Sequence, residues 1–342
     1  MSDQAPNLPI PPGTRDVLPD EMRELRRVES SLRETFDSYG YGEVATPAIE
    51  YDEVLARAGV GTAPTAYRFF DESGDLLALR TDMTVPIARL IATRFRHTPP
   101  PFRLSYIGSA YRAVRPQRGQ MREFSQAGVE LVGAEAPDGT AEVIEVLASA
   151  LDAAGLPRAV IGLGDADLYR QLLDELGVRG GARDMVLDRL AEHDLVGLEL
   201  EVATIDGLSD EAQRTLLRLP ELRGGPEVLE EAKVVGGDAV SRATSRLAAT
   251  FEAVRRRGVE DRVQLDLGLL RDLGYYTGAI LEVYDPALGH VIGGGGRYDE
   301  LTGKFGRPMA AAGFALYLER LHIAQAEGEE LGGGPRDDGG RS

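Results

Sequence analysis

The stretch Arg271-Asp-Leu-Gly-Tyr-Tyr-Thr-Gly278, followed by Gly293-Gly-Gly-Gly-Arg-Tyr-Asp299, puts a cation, two adjacent phenols and a glycine-rich backbone close together. Three other stretches carry matching chemistry: Leu79-Arg-Thr-Asp82-Met-Thr84, Tyr111-Arg112 and Gln126-Ala-Gly-Val-Glu130. Arg271 suits an anionic group, because a guanidinium makes paired, charge-assisted bonds to a carboxylate. Asp82 suits an ammonium, and the remaining polar side chains suit a third group. Together they predict one pocket for an amino acid whose side chain forms hydrogen bonds. Glu130 alone reads rather as a strand carboxylate paired with a nearby arginine such as Arg112 or Arg122; its place in the Gln126–Glu130 string favours the ligand instead. Tyr275 and Tyr276, if they lie in a strand, face opposite sides, and Tyr276 is then the one expected to reach the ligand.

Positioning such groups needs a rigid scaffold, and the hydrophobic spacing describes one. Met22, Leu25, Val28, Leu32 and Phe36 recur at helical intervals over Glu21–Tyr39, which predicts a one-sided helix. Glu43–Ile49 reads as a strand interrupted by Pro47, at an edge or contact surface. Short β-rich segments with turns fill 67–133 around one helix near Val85–Arg94. A helix over Glu142–Ala154 and a strand over Ala159–Leu163 follow. From 166 to 258 the leucines take helical spacing with few strand signals. Strands return at Val263–Leu267, Thr277–Tyr284 and His290–Ile292, before a last helix around Gly313–Ala326. The fold class is α+β: a discontinuous body, 1–165 and 259–326, carrying a helical insertion over 166–258, with 327–342 as a disordered tail. Gly162-Leu-Gly164 lacks the third glycine of a dinucleotide fingerprint and reads as a strand-to-helix turn.

The chain has 342 residues, 43% of them apolar, and a formal net charge of -18. An acidic chain argues against nucleic acid as principal partner, although Arg89, Arg94, Arg96, Arg103, Arg112, Arg115, Arg118 and Arg122 fall in one stretch. Cysteine is absent, which excludes disulfides and thiolate metal sites. The four histidines, His97, His193, His290 and His322, have no ligand spacing, so no metal and no cofactor are expected. The N-terminus lacks a signal-peptide pattern, and no apolar run is long enough to span a membrane. A cytoplasmic protein is expected.

Several fragments, in order over roughly residues 9–325, resemble the catalytic core of class II histidyl-tRNA synthetases. Pro12-Gly-Thr-Arg-Asp-Val-Leu-Pro19 looks like that family's opening, and the Glu21 helix ending at Pro47 resembles motif 1, its dimerisation element. Tyr111-Arg112 through Glu130 resembles motif 2, Gly313-Phe-Ala-Leu-Tyr-Leu-Glu-Arg320 resembles motif 3, and Arg271–Thr277 resembles the histidine-specific segment. The resemblance implies an antiparallel sheet flanked by helices. It also implies roles for individual residues. Asp82, Thr84 and Gln126 would hold an α-ammonium, and Arg112 and Arg271 would face an α-carboxylate. Glu130 and Tyr276, with Tyr275 nearby, would fix an imidazole.

Departures from the family pattern bear on activity. Motif 2 of the family has Arg-x-Glu, and here Arg112-Ala-Val114 offers valine where a carboxylate would accept from adenine. A small glycine of motif 3 is replaced by Tyr317. The family's Leu-Asp-Tyr-Tyr is Leu273-Gly-Tyr-Tyr276, and no anticodon-binding domain is expected in this chain. Ligand recognition kept beside altered nucleotide contacts resembles the synthetase-like regulatory subunits of ATP phosphoribosyltransferase. That resemblance implies a non-catalytic chain with free histidine as effector, a short-form catalytic subunit as partner, a homodimer through motif 1 within a hetero-oligomer, and no tRNA. The competing readings are a truncated synthetase-like enzyme activating histidine with ATP, and a pure assembly scaffold.

Overall fold

Alternation along the central strands decides which residues meet the helices and which meet the cavity. The computed structural model describes residues 9–59, 65–114, 121–270, 274–286, 288 and 290–332, with backbone alone for 328–332. Its larger sheet has nine strands, in the spatial order β1 (Gly42–Glu43), β5 (Phe102–Tyr111), β6 (Glu123–Val132), β12 (Ala311–Tyr317), β11 (Gly293–Arg297), β10 (Ala279–Tyr284), β7 (Val160–Asp165), β9 (Val263–Asp266) and β8 (Arg223–Gly224). A separate small sheet runs β2 (Ile49–Tyr51), β4 (Leu76–Leu79), β3 (Arg68–Phe70). Neighbours from β5 across to β7 are all antiparallel. β1 joins β5, and β9 joins β7, in parallel. This is the α+β, largely antiparallel arrangement expected.

In β6, Ala127, Val129 and Leu131 enter the core beneath the helices, while Gln126 and Glu130 line a cavity on the opposite face. That is the period of two of a pleated strand. The helices Pro19–Ser38, Asp138–Ala153 and Asp238–Arg256 cover the first face. Leu25, Val28, Leu32 and Phe36 dock from the first of them, as their spacing predicts, whereas Met22 of the same series stays exposed. Each such fully buried side chain stabilises the fold by roughly 1.5–3 kcal/mol. The second face carries its own cluster, in which Leu55, Val85, Ile87 and Ile91 from the helices Asp52–Arg57 and Thr84–Thr93 meet Tyr106, Tyr275, Tyr276 and Tyr298.

Five expectations need correction. Residues 311–317 form a strand rather than the start of the last helix, which begins at Leu318. Pairing to β6 on one side and β11 on the other imposes this on a short apolar run that has no period of its own. The strand expected over His290–Ile292 is instead Gly293–Arg297. The segment around Pro47 is split, since Gly42–Glu43 joins the larger sheet and Ile49–Tyr51 the small one. Gly162 and Gly164 lie inside β7 rather than at a turn. The last helix runs on to Gly332, into the segment expected as a tail, and 333–342 lie outside the described residues.

Between 166 and 258 the described chain is mainly helical, as expected, from Leu168–Glu175 through Asp238–Arg256. Two features tie it to the sheet. Arg223–Gly224 adds β8 to the edge beside β9. Arg246, on the Asp238–Arg256 helix, donates Nε and Nη2 at 2.8 Å each to the two carboxylate oxygens of buried Asp165 at the end of β7.

Candidate functional site

The cavity on the second face is tight: the room it leaves for the centres of water-sized spheres is about 30 Å³. Most of the predicted residues meet there: Asp82, Thr84, Arg112, Gln126, Glu130, Tyr275 and Tyr276 all line it. Arg271, the expected anion-binding cation, lies outside the described residues. Tyr275 and Tyr276 both reach the cavity. They precede β10 rather than lying in it, so strand alternation does not separate them. Their rings sit 5.0 Å apart, centroid to centroid.

Glu130 is 1% exposed. Thr84 Oγ1 donates to its Oε1 at 2.8 Å, and Tyr298 OH donates to its Oε2. The arginine pairing weighed from sequence is absent among the described contacts. Arg112 instead stacks on Phe124, 4.8 Å from the ring centre, and Arg122 donates Nε to Val114 O at 3.2 Å. Burial raises the Glu130 pKa to about 8; the two hydroxyl donors oppose the shift and neighbouring Asp82 adds to it. Removing a carboxylate from water without a cation beside it favours the neutral acid.

Asp82 sits in the turn before the Thr84–Thr93 helix, where Oδ1 accepts from Val85 N at 3.0 Å. Burial pushes its pKa up, against that N–H and the charge of Arg112. Gln126, 3% exposed, holds its Oε1 with no hydrogen-bond partner among the described residues. A buried acceptor left unmet costs about 1–3 kcal/mol, which a ligand N–H would offset. The cavity therefore offers two carboxyl groups, an unmet amide oxygen and several phenols to a small cationic or hydrogen-bonding guest.

Backbone supplies the floor. Gly294, Gly295 and Gly313 line the cavity, so the glycine run is a wall element, as expected. A Cβ on Gly313 would meet Glu130 Oε2 at 1.9 Å, and one on Gly295 would meet Gly313 O at 2.0 Å. Only hydrogen fits where these strands and the buried carboxyl approach so closely.

Two contributors had no assigned role in the sequence reading. Tyr298 was quoted within the Gly293–Asp299 string without its link to Glu130. Tyr106, from β5, lines the cavity and donates to Phe314 O at 3.3 Å; a single strand aromatic carries no local signal. At one end the cavity meets a stack of rings and cations. Tyr317 packs edge-on to Phe124 at 5.5 Å, Arg320 lies 4.7 Å over Tyr317, and Arg112 lies over Phe124. Among the described residues no group of three or more His, Asp or Glu could hold a metal ion, and no helix is long and apolar enough to cross a membrane.

A largely antiparallel sheet of this topology, with long helices on one face and a polar cavity on the other, is the class II aminoacyl-tRNA synthetase-like fold. The family model for histidyl-tRNA synthetase matches residues 13–321. The ATP phosphoribosyltransferase regulatory subunit of Symbiobacterium thermophilum is 43% identical over 98% of this chain and 84% of its own length. That of Desulforamulus reducens is 41% identical over 96% and 81%. A solved Bacillus halodurans structure, titled ATP phosphoribosyltransferase regulatory subunit/histidyl-tRNA synthetase, superposes with a TM-score of 0.85 at 32% identity, covering 94% of this chain and 84% of that one. The chain belongs to the histidyl-tRNA synthetase-like family, in its ATP phosphoribosyltransferase regulatory subunit group.

Proposed function

We propose that this chain binds free histidine in the cavity and serves, without catalysis of its own, as the histidine-responsive regulatory subunit of a short-form ATP phosphoribosyltransferase catalytic subunit. The observation that carries the reading is the pairing of an enclosed carboxyl-and-phenol cavity with a stack that holds its own aromatic ring. Asp82 and the unmet Gln126 Oε1 suit an α-ammonium. Glu130, with Tyr275 and Tyr276, suits an imidazole, and Thr84 serves by holding Glu130 in place. Arg112, joined by Arg271, suits the α-carboxylate. Beyond this, Tyr317 occupies the space between Arg320 and Phe124 in which a planar base would stack, and the Val114 side chain offers no acceptor to an amine.

Regulation of this kind is a coupling free energy, typically about 1–3 kcal/mol: histidine must favour one arrangement of the complex over another. Calorimetry with free histidine is expected to show saturable binding, and adding the chain to a short-form catalytic subunit is expected to switch on activity that histidine then suppresses. No binding at millimolar histidine, or activity indifferent to the chain, removes the proposal. A second reading, histidine activation with ATP, draws on Arg112 and Arg320, which could neutralise phosphates. Histidine-dependent pyrophosphate–ATP exchange separates the two, and none is expected.

A further inference from the structure

Glu130 is unusual for what surrounds it. Asp82 and Thr84 face it from the turn and start of the Thr84–Thr93 helix, Tyr106 from β5, Tyr298 from the segment after β11, and Tyr275 and Tyr276 from the loop before β10. β12 presents only the Gly313 backbone. Among the described residues no lysine, arginine or histidine pairs with Glu130, and Arg112 acts on Asp82 instead. Each carboxyl oxygen already accepts a hydroxyl proton, one from Thr84 and one from Tyr298. A second buried carboxyl close by makes two ionised groups in one cavity costly.

A group so placed keeps a free lone pair on each oxygen, but burial without a cation, next to a second carboxyl, favours its neutral form, and a neutral carboxyl can donate its proton into the cavity. A neutral imidazole presents one ring nitrogen that accepts and one that donates. Resting on the histidine reading above, we infer that Glu130 recognises the neutral imidazole as a hydrogen-bond donor, sharing its own carboxyl proton with the bare ring nitrogen. The complex then assembles from neutral partners, O–H facing N, and the proton stays between them. Such a site selects an uncharged, accepting ring and rejects a lysine or arginine side chain, whose head has no acceptor. The raised pKa of Glu130 is consistent with this arrangement, being set chiefly by burial.

The consequence is a pH window. Below about pH 6.5 the free imidazole carries a proton that must be shed on binding. Above about pH 8 the emptied carboxyl must take a proton up. Affinity should fall about tenfold per pH unit beyond either limit. The test is calorimetric titration of the whole chain with histidine, from about pH 5.5 to about 9, in buffers of different ionisation enthalpy, for wild type and Glu130→Gln. The amide keeps an N–H donor and does not titrate, and the α-ammonium of histidine is common to both proteins. The ratio of wild-type to variant affinity is expected to be level below about pH 7 and to fall about tenfold per unit above about pH 8. Near pH 7.2 the wild type should exchange almost no protons with buffer.

Uptake close to one proton at that pH would mean an ionised Glu130 drawing in an imidazolium, and would overturn the inference. So would an affinity ratio that stays level, or rises, through alkaline pH. Should Glu130→Gln fail to fold, the wild-type proton count above about pH 8 decides: uptake rising beyond what the α-ammonium of histidine accounts for is expected, and no such uptake overturns the inference. Absence of any histidine heat at every pH would remove the histidine reading itself, a result distinct from binding with the wrong proton count.

Discussion

At Glu130 the neighbours that set the chemistry come from three separate parts of the chain. Thr84, Asp82, Tyr106 and Tyr298 are brought together only by the sheet and its covering helix. The Gln126–Glu130 string could be read as ligand-facing from residue types. The hydroxyl partners could not, because cross-strand register and the path after β11 decide them. The stability of the fold should record this. The native carboxyl holds its proton to about pH 8, whereas an ordinary glutamate releases it near 4.5. Between those values the native state binds more protons than the unfolded one, so this group's contribution is full below about 4.5 and declines as pH rises towards 8. The expected loss is of order a few kcal/mol. Melting temperature against pH should therefore drop less steeply over that interval in Glu130→Gln than in wild type; parallel curves would contradict the assignment.

At the scale of elements, long amphipathic segments were legible and short apolar ones were not. Pro19–Ser38 follows its stripe of Leu25, Val28, Leu32 and Phe36 almost to the residue. Residues 311–317 and 293–297 carry alanines and glycines, whose side chains have little β preference, and tertiary pairing alone makes them central strands. The helical stretch after β7 was legible from its leucines, but its fastening to the sheet was not. Arg246 and Asp165 lie 81 residues apart and form a two-pronged pair. Arg246→Ala would leave the Asp165 carboxylate buried without its partner, at a cost of about 3 kcal/mol. Urea denaturation should show the midpoint falling by that equivalent, and Arg246→Lys should recover only part of it, since an ammonium cannot match both oxygens.

On the scale of the whole molecule, one large sheet divides the labour: long helices pack against one side, while the other, with two shorter helices, borders the cavity. The small sheet begins just after Pro47 and leaves Tyr51 and Phe70 more than half exposed, at 53% and 72%. An apolar surface of that kind suits the homodimer expected around the Pro19–Ser38 helix and Pro47. Sedimentation of the isolated chain should give a dimeric mass, and Phe70→Asp should raise the monomer fraction; a monomeric wild type would remove that expectation. The glycine floor has a further effect on how the proposed histidine site can change. Because Gly295 and Gly313 admit no added carbon, a mutational search for a new effector has nothing to vary beneath the guest. Any retuning must come from the rim, through Thr84, Gln126, Glu130 or the tyrosines. An altered preference should then arrive as a change of polarity, with the depth of the receptacle unchanged.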